Sequence, residues 1–162
     1  MITIHGRTRC QFYKGEADWL AIADVSQAVD IPVIANGDIT NAQTARTAMQ
    51  AAQSAGVMIG RGAQGRPWLL AQVAAALEGR APATGPPVRE ALHDMVCGHY
   101  EAMLGFYGVD LGLRVARKHL GWYMQAAGTA AAVRRAILTS TSPSQVTGLL
   151  RRAFTTNLEA VA

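Results

Sequence analysis

Three short runs of apolar, largely β-branched residues dominate the first half of this 162-residue chain, and each run ends in glycine and polar residues. The runs are Ile2–Ile4, Ile31–Ala35 and Gly56–Ile59. They are continuous rather than alternating, which predicts parallel strands buried on both faces of a sheet. Helix-like stretches at Asp18–Val29 and Thr40–Gln53 lie between them. The first half therefore predicts a βαβαβ order.

Local signals mark where two of the helices begin. Thr40 followed by Gln43 three residues later predicts a capping box at the start of the second helix. After the third strand, Pro67–Glu78 predicts a further helix with proline in its first turn.

A proline-rich segment divides the chain. Gly79–Pro87 holds three prolines and two glycines, which predicts a linker at about 79–88 and two domains, 1–80 and 81–162. Four helical segments follow, and they predict a small four-helix bundle. The segments are Val88–Tyr107, Leu111–Ala127, Ala130–Thr139 and Pro143–Val161.

The last of these helices carries its own start signal. Ser142 is the expected N-cap, with Pro143 at the first helical position and Gln145 at the third. An apolar stripe at helical spacing follows it. Its members are Leu149, Leu150, Ala153, Phe154 and Leu158.

Positive charge gathers in the last third of the chain. The whole sequence has a net charge of +4, but residues 111–162 hold seven Lys or Arg against Glu159 alone. Arg114, Arg117 and Lys118 fall at i, i+3 and i+4, hence on one helix face. The pattern predicts an acidic partner such as a nucleic acid, or else a solvated helical surface.

Cysteine, histidine and apolar runs limit the other function classes. Cys10 and Cys97 form neither a disulfide framework nor a metal pattern, which is typical of the reducing cytoplasm. His93, His99 and His119 share no metal-ligand spacing, so we expect no metal site, and surface positions for the first two. No run of 18 apolar residues occurs, which argues against a membrane span, and the N-terminus does not resemble a signal peptide.

Three parallel strands are too few for a closed barrel, which needs eight. An open sheet of three leaves two edges unpaired. We therefore expect the chain to be the C-terminal part of a larger βα fold, or to complete itself through another chain, with self-association as one route.

The strand ends are the expected binding edge. They carry the triplets His5-Gly6-Arg7, Asn36-Gly37-Asp38 and Gly60-Arg61-Gly62. Ligands of parallel α/β proteins bind at the carboxyl ends of the strands, and glycine amides hold phosphates. The alternative is that the second and third triplets are ordinary turn and loop sequences.

Four segments in order resemble the flavin-dependent tRNA-dihydrouridine synthases, most of all the bacterial B branch. They are HGRTRCQFYKGEADW at 5–19, IPVIANGDI at 31–39, GVMIGRGAQGRPWL at 56–69 and RVARKHLGWY at 114–123. The resemblance implies the last three β/α units of an FMN-binding TIM barrel, an α/β fold, followed by an all-α tRNA-binding domain.

The resemblance also implies a reaction. Family members reduce uridine to 5,6-dihydrouridine in tRNA, with FMN as cofactor and NADPH as reductant. Their catalytic cysteine lies in an Asn-x-Gly-Cys-Pro segment that this sequence lacks, so we expect the chain alone to be inactive. The alternatives are a truncated RNA- or flavin-binding module without catalysis, or another FMN-dependent barrel oxidoreductase, which the basic helical region disfavours.

The resemblance assigns roles residue by residue. The expected FMN-binding residues are His5, Asn36, Gly37, Asp38, Gly60 and Arg61. Asp38 has a competing role as the cap of the following helix. The expected RNA-binding residues are Arg7, Arg9, Arg114, Arg117 and Lys118. For Arg7 and Arg9, which lie near Tyr13 and Trp19, the alternative is that they order the loop after the first strand. Trp122 and Tyr123 are expected in the helical core.

Overall fold

The computed structural model describes residues 1–12, 14–81 and 85–155, which form a mixed α/β structure with one three-stranded sheet and seven α-helices. The elements in chain order are β1 (Ile2–His5), α1 (Leu20–Ala28), β2 (Val33–Asn36), α2 (Ala42–Ala52), β3 (Gly56–Met58), α3 (Leu69–Leu77), α4 (Glu90–Tyr107), α5 (Val109–Ala126), α6 (Ala131–Thr139) and α7 (Pro143–Thr155). Short 3₁₀ turns occupy Arg9–Gln11 and Arg61–Ala63.

The sheet is parallel, as its apolar runs predict, with strand order β1-β2-β3. Register pairs His5 with Asn36 at the carboxyl ends of β1 and β2, and Asn36 with Met58 at those of β2 and β3. The three strand ends therefore lie side by side, and the loops that follow them leave from one edge.

The expectation that all three strands are buried on both faces is wrong for the outer two. In β2, Val33 and Ala35 are buried, but Ile2 in β1 is 40% exposed and Met58 in β3 is 52% exposed. Val33 and Ala35 pack with Ile22 of α1 and Ala52 of α2. An outer strand has a neighbouring strand on one side only, so its apolar side chains lose part of the expected cover.

Helices α4–α7 share one apolar core. Its fully buried side chains include Tyr100 of α4, Leu120 and Met124 of α5, Ile137 of α6 and Leu150 of α7. The apolar stripe of α7 faces this core through Leu150 and Phe154, whereas Leu158 lies outside the described residues. The four helices within residues 85–155 therefore bury one common core.

The chain forms two compact units. The α/β unit comprises Met1–Ala63 and Pro67–Ala83, and the helical unit comprises Gln64–Arg66 and Thr84–Ala162. None of the helices in the described ranges is long and apolar enough to cross a membrane.

The capping box expected at Thr40 and Gln43 is wrong by one residue. Helix α2 is capped by Asn41, whose Oδ1 accepts a hydrogen bond from the Thr44 N–H at 2.8 Å. Thr44 Oγ1 in turn accepts from the Asn41 N–H at 3.1 Å. Asparagine is at least as good an N-cap as threonine, and it takes the position adjacent to the first helical turn.

The other predicted helix starts are close to the observed ones. Ser142 Oγ accepts a hydrogen bond from the Gln145 N–H at 3.4 Å, and α7 begins at Pro143, as its sequence predicts. Helix α3 begins at Leu69, two residues after Pro67. Helix α5 begins at Val109, directly after Gly108, rather than at Leu111.

Candidate functional site

Asn36 ties together the carboxyl ends of all three strands. Its Oδ1 accepts a hydrogen bond from His5 Nδ1 at 2.7 Å, and its Nδ2 donates to the Met58 carbonyl at 2.7 Å. An amide oxygen only accepts, so this contact places a proton on His5 Nδ1. The strand edge therefore presents an imidazole whose orientation is fixed through Nδ1.

The turn after β2 has a backbone that requires glycine at one position. Gly37 has φ +122°, and a Cβ there would lie 2.7 Å from the Cβ of Ala17 and 3.3 Å from Cε1 of His5. Its carbonyl accepts a hydrogen bond from Trp19 Nε1 at 3.0 Å. Asp38, the next residue, has φ +54°, a strained value for a non-glycine residue. Such strained turns cluster at binding sites.

Arg7 and Asp38 form an ion pair behind this turn. Arg7 Nη2 donates to Asp38 Oδ2 at 2.5 Å, and the Arg7 side chain is 3% exposed. The same guanidinium donates to the carbonyls of Lys14 and Gly15, at 3.2 and 2.7 Å. Its Nη1 is buried and has no hydrogen-bond partner among the described residues.

Asp38 is held in its charged form. Burial raises its pKa, but the hydrogen bonds from Arg7 and the Ala17 N–H and the positive charges of Arg7 and Arg61 outweigh burial and lower the pKa. The effect of Arg61 indicates that its guanidinium lies within electrostatic range of this carboxylate. The charges that follow β1, β2 and β3 therefore belong to one group.

The loop after β3 is fixed against the loop after β2. A Cβ on Gly62 would lie 2.2 Å from the Ile39 carbonyl oxygen, so this approach requires glycine. Gly60 and Arg61 are exposed, and a Cβ on Gly60 would meet open space. A glycine backbone open to solvent beside an exposed guanidinium is a suitable cradle for an anion.

Of the predicted cofactor residues, His5 and Asn36 are hydrogen-bonded to each other, Gly37 lies beside the His5 ring, and Asp38 follows in the same turn and binds Arg7. The alternative role of Asp38 as a helix cap is wrong, because Asn41 caps α2 and Asp38 pairs with Arg7. The contacts of Arg7 match the loop-ordering alternative, since its side chain is 3% exposed and binds Lys14, Gly15 and Asp38. Arg9 is exposed on the same loop.

The predicted basic stripe on α5 divides into exposed and half-buried members. Arg114 and Lys118 are exposed. Arg117 is half-buried, its Nη2 donates to the Ser140 carbonyl at 3.5 Å, and its Nε is buried without a partner among the described residues. Arg114 and Lys118 are therefore the freer candidates for a phosphate contact.

The sequence did not predict a cluster of rings on α4 and α5. His93 and His99, expected at the surface, are half-buried. His99 Nδ1 and the Tyr123 hydroxyl share a hydrogen bond of 3.0 Å, and the rings of His99 and His119 are 5.1 Å apart. Lys118 Nζ lies 5.3 Å from the Trp122 ring centroid. The spacing of Lys118, Trp122 and Tyr123 along α5 was the available signal.

Tyr123 lies in the core as expected, whereas Trp122 is only half-buried. Burial, His99 and Lys118 lower the pKa of His119, which favours its neutral form. The exposed side of this cluster therefore presents a cation beside an indole, the pairing that RNA-binding surfaces use for phosphate and base contacts.

Cys97 lies in a different setting from a catalytic thiol. Its Sγ is 3.3 Å from His93 Nε2, and His93 Nδ1 is 2.9 Å from Asp94 Oδ1. Burial, Glu101 and Asp94 raise the pKa of Cys97, so the thiol stays protonated. No group of three His, Cys, Asp or Glu side chains among the described residues is placed to hold a metal ion.

Comparison with known proteins identifies relatives along nearly the whole chain. The family model described as "Dihydrouridine synthase (Dus)" matches residues 1–159. A protein of Rhodobacter capsulatus named "Probable tRNA-dihydrouridine synthase" is 58% identical over 154 residues, which cover 95% of this chain and 47% of that protein.

Two further relatives agree. A "Probable tRNA-dihydrouridine synthase" of Rickettsia conorii is 45% identical, covering 98% of this chain and 48% of the relative. The "tRNA-dihydrouridine synthase B" of Xanthomonas axonopodis pv. citri is 41% identical, covering 94% and 46%. The chain spans about half the length of the curated relatives it matches. With its family model matched from residue 1 to residue 159, the chain belongs to the dihydrouridine synthase family.

Proposed function

We propose that this chain is the C-terminal part of a tRNA-dihydrouridine synthase, an oxidoreductase that reduces uridine in tRNA with FMN and NADPH. In this proposal the α/β unit supplies the last three β/α units of a TIM barrel. The helical unit supplies a four-helix tRNA-binding domain. Family membership and the names of the relatives support the reaction class.

The observation that carries the proposal is the row of polar groups at the carboxyl edge of the sheet. His5 and Asn36 are hydrogen-bonded side by side, and the exposed Gly60 and Arg61 follow the third strand. In barrel enzymes this edge is where cofactor and substrate bind.

The residues at this edge fit the phosphate of FMN. The donors are the Gly60 backbone and the Arg61 guanidinium, and the nearby carboxylate of Asp38 is neutralised by Arg7. FMN, when bound, supplies a carrier that passes hydride from NADPH to the uracil ring.

The remaining roles belong to the chain's own side chains. Asn36 orients the His5 ring by binding Nδ1, so that Nε2 is the ring nitrogen offered to the cofactor. Gly37 leaves room for Ala17 and for the His5 ring, which a Cβ at this position would meet. These residues bind and orient, and none of them is assigned a proton transfer.

For RNA, the proposal assigns phosphate contacts to Arg9, Arg114 and Lys118, with Arg117 partly engaged inside the helical unit. A uridine stacked inside folded tRNA must be unstacked before it reaches the cofactor, which costs a few kcal/mol. The phosphate contacts of these cations would offset this cost.

The cofactor assignment is tested by comparing FMN with riboflavin, which lacks the phosphate. We expect the 162-residue chain to bind FMN weakly, because it spans only about half the length of its relatives. Arg61→Ala should remove most of the preference for FMN, about tenfold or more for a charge-assisted contact. The matched control is Arg80→Ala, an exposed arginine paired with Glu78. Equal affinity of the wild-type chain for FMN and riboflavin contradicts the assignment.

The RNA assignment is tested by a salt titration of tRNA binding. Replacing Arg114 and Lys118 with Ala should weaken binding and lower the salt slope by about one unit for each lost phosphate contact. Arg80→Ala again serves as the control. A double variant that binds like the wild type at every salt concentration indicates that this stripe is only a solvated face.

The competing proposal is a binding module without catalysis. Its support is that Cys97 is buried and protonated, and that neither cysteine lies in the family's catalytic motif. Both proposals expect no product from the chain alone, so the test places this chain in the Rhodobacter capsulatus relative, in exchange for the part that it matches. The chimera is incubated with FMN, NADPH and unmodified tRNA, and dihydrouridine is measured by mass spectrometry. Product formed by the chimera contradicts the module, whereas tRNA binding without product supports it.

A further inference from the structure

We infer that Arg7 is a positioning residue for RNA binding, and that it acts by closing the loop between β1 and α1 onto the turn after β2. Its role is indirect, because the exposed side chains of the same loop, Arg9 and Lys14, make the contact. The inference rests on the proposed function only for the identity of the RNA partner.

The buried guanidinium joins three parts of the chain. It donates to Asp38 in the turn after β2 and to the carbonyls of Lys14 and Gly15 in the far half of the loop. Arg7 itself directly follows Gly6 after β1. A single side chain thus links the beginning of the loop, its return and the neighbouring strand end.

A second set of contacts fixes Ala17 and Asp18, where the loop returns toward the sheet, and one of them is on the same carboxylate. The Ala17 N–H donates to Asp38 Oδ2 at 2.8 Å, and the Asp18 N–H donates to the Gly6 carbonyl at 2.7 Å. Ala17 Cβ occupies the space beside Gly6 and Gly37, where added methyl groups would lie 3.0 and 2.7 Å away. Asp38 is therefore the common acceptor for both Arg7 and the loop return.

Between these anchors the described residues of the loop are exposed. Arg9, Cys10 and Phe12 lie at the surface, and Lys14 follows. Cations and an exposed aromatic ring on one short loop are typical of contacts to single-stranded nucleic acid. Without the Arg7–Asp38 pair the loop would sample many shapes, and ordering it on binding would cost affinity.

Because Arg7 and Asp38 carry opposite charges, replacing each in turn separates an effect of charge from an effect of loop shape. Arg7→Gln removes a positive charge and Asp38→Asn removes a negative charge, but both break the ion pair. If Arg7 acts on RNA only through its charge, the two variants should change tRNA affinity in opposite directions. If it acts through the shape of the loop, both should weaken binding.

The first experiment uses endoproteinase Lys-C, since Lys14 and Lys118 are the only lysines in the sequence. Cleavage at Lys118, in α5, is the internal reference. We expect Arg7→Gln and Asp38→Asn to raise the Lys14 cleavage rate about fivefold or more, while Arg9→Gln, in the same loop, leaves it unchanged. Unchanged Lys14 cleavage in both variants overturns the inference.

Hydrogen exchange separates release of the loop from unfolding of the α/β unit. The amides of β2, such as that of Ala35, should stay protected in both variants. If Arg7→Gln loses this protection, Asp38→Asn, which keeps the shape of the side chain, is the variant that decides. Loss of protection in Asp38→Asn as well would make the pair a general fold contact and would overturn the positioning role.

The second experiment measures tRNA binding of the full chain. We expect Arg7→Gln and Asp38→Asn each to weaken it by about fivefold, and Arg9→Gln to cost less in the Arg7→Gln background than in the wild type. Tighter binding by Asp38→Asn, or full additivity with Arg9→Gln, contradicts the inference. If the wild-type chain binds no tRNA, the RNA partner fails, and Lys-C cleavage still judges whether the pair holds the loop.

Discussion

Each of the two units of this chain is stabilised in its own way. The α/β unit has two small apolar clusters, in which four of the nine buried residues are alanine, and its strand-end loops are fixed by polar contacts of Arg7, Asn36 and Asp38. The helical unit has one core of large side chains from all four of its described helices. Area buried stabilises the helical unit, whereas directed hydrogen bonds set the shape of the α/β unit.

The difference follows from what each unit does in the proposed function. A binding edge needs donors and acceptors at fixed positions, and only directed contacts fix them. A domain that offers a charged surface to RNA needs a rigid interior and exposed cations. Substitutions in the two units should therefore have different kinds of effect.

The largest effect is expected in the helical core. Leu120 is 2% exposed in the centre of that core, so Leu120→Ala should destabilise the helical unit by about 2–5 kcal/mol. The control is Leu111→Ala, at an exposed position of the same helix. Chemical denaturation followed by circular dichroism measures both. Equal losses from the two variants would show that this core does not dominate the stability of the unit.

Replacing a glycine with alanine should have opposite effects on stability in the two units. Gly37→Ala forces a Cβ into Ala17 at φ +122°, so we expect a loss of about 1–3 kcal/mol. Gly121 lies inside α5 with open space for a Cβ, so Gly121→Ala should stabilise by up to about 1 kcal/mol. Thermal unfolding gives both values. A neutral Gly37→Ala variant would mean that the turn relaxes.

These contrasts mark what the sequence could predict. Continuous apolar runs predict the parallel strands, and helical spacing with glycine and proline breaks predicts all seven helices, because both patterns are local. The cap at Asn41 shows the limit, since Thr40 offers a similar signal one residue earlier. The burial of β1 and β3 depends on neighbours along the sheet, which no local pattern contains.

The candidate site shows the same division. The triplets at the strand ends point to the binding edge, but the pairing of Arg7 with Asp38 joins residues 31 apart in the sequence. The pairing of His99 with Tyr123 joins residues on two helices. A sequence pattern gives the residue type and the element, while the partner of a polar side chain depends on packing.

Mild acid should weaken the helical unit first. Because burial, His99 and Lys118 lower the pKa of His119, the unfolded state binds its proton more readily than the folded state. The stability that the neutral His119 contributes is fully present above the ordinary pKa of 6.5. It falls as the pH drops through 6.5 toward the lowered pKa. His119→Gln should flatten this part of the profile. Urea denaturation between pH 7.5 and 5 tests it, and an unchanged slope in the variant would exclude His119.

Stronger acid should act on the α/β unit. The lowered pKa of Asp38 stabilises the fold above the ordinary carboxyl value of 3.8, and this contribution is lost as the pH falls through the lowered pKa. Asp38→Asn should therefore reduce the acid sensitivity of this unit, while Asp24→Asn, on the exposed face of α1, should leave it unchanged. Acid titration followed by hydrogen exchange of the β2 amides distinguishes them. Equal profiles would indicate that Arg7 and Asp38 are not paired in solution.

The smallest effect on the fold is expected from the cysteines, and it compares the surfaces of the two units. Cys10 is exposed on the loop after β1, whereas Cys97 is buried in the helical core and burial raises the pKa of its thiol. A thiol reagent reacts with the accessible thiolate, so Cys10 should be labelled first and Cys97 only when the helical unit opens. Labelling with iodoacetamide, followed by peptide mass spectrometry, gives the two rates. Leu120→Ala should speed labelling of Cys97 and leave Cys10 unchanged, because it loosens only the core that covers Cys97. Rapid labelling of Cys97 in the wild-type chain would contradict the closed helical core, and with it the contrast between a unit fixed by polar contacts and a unit fixed by burial.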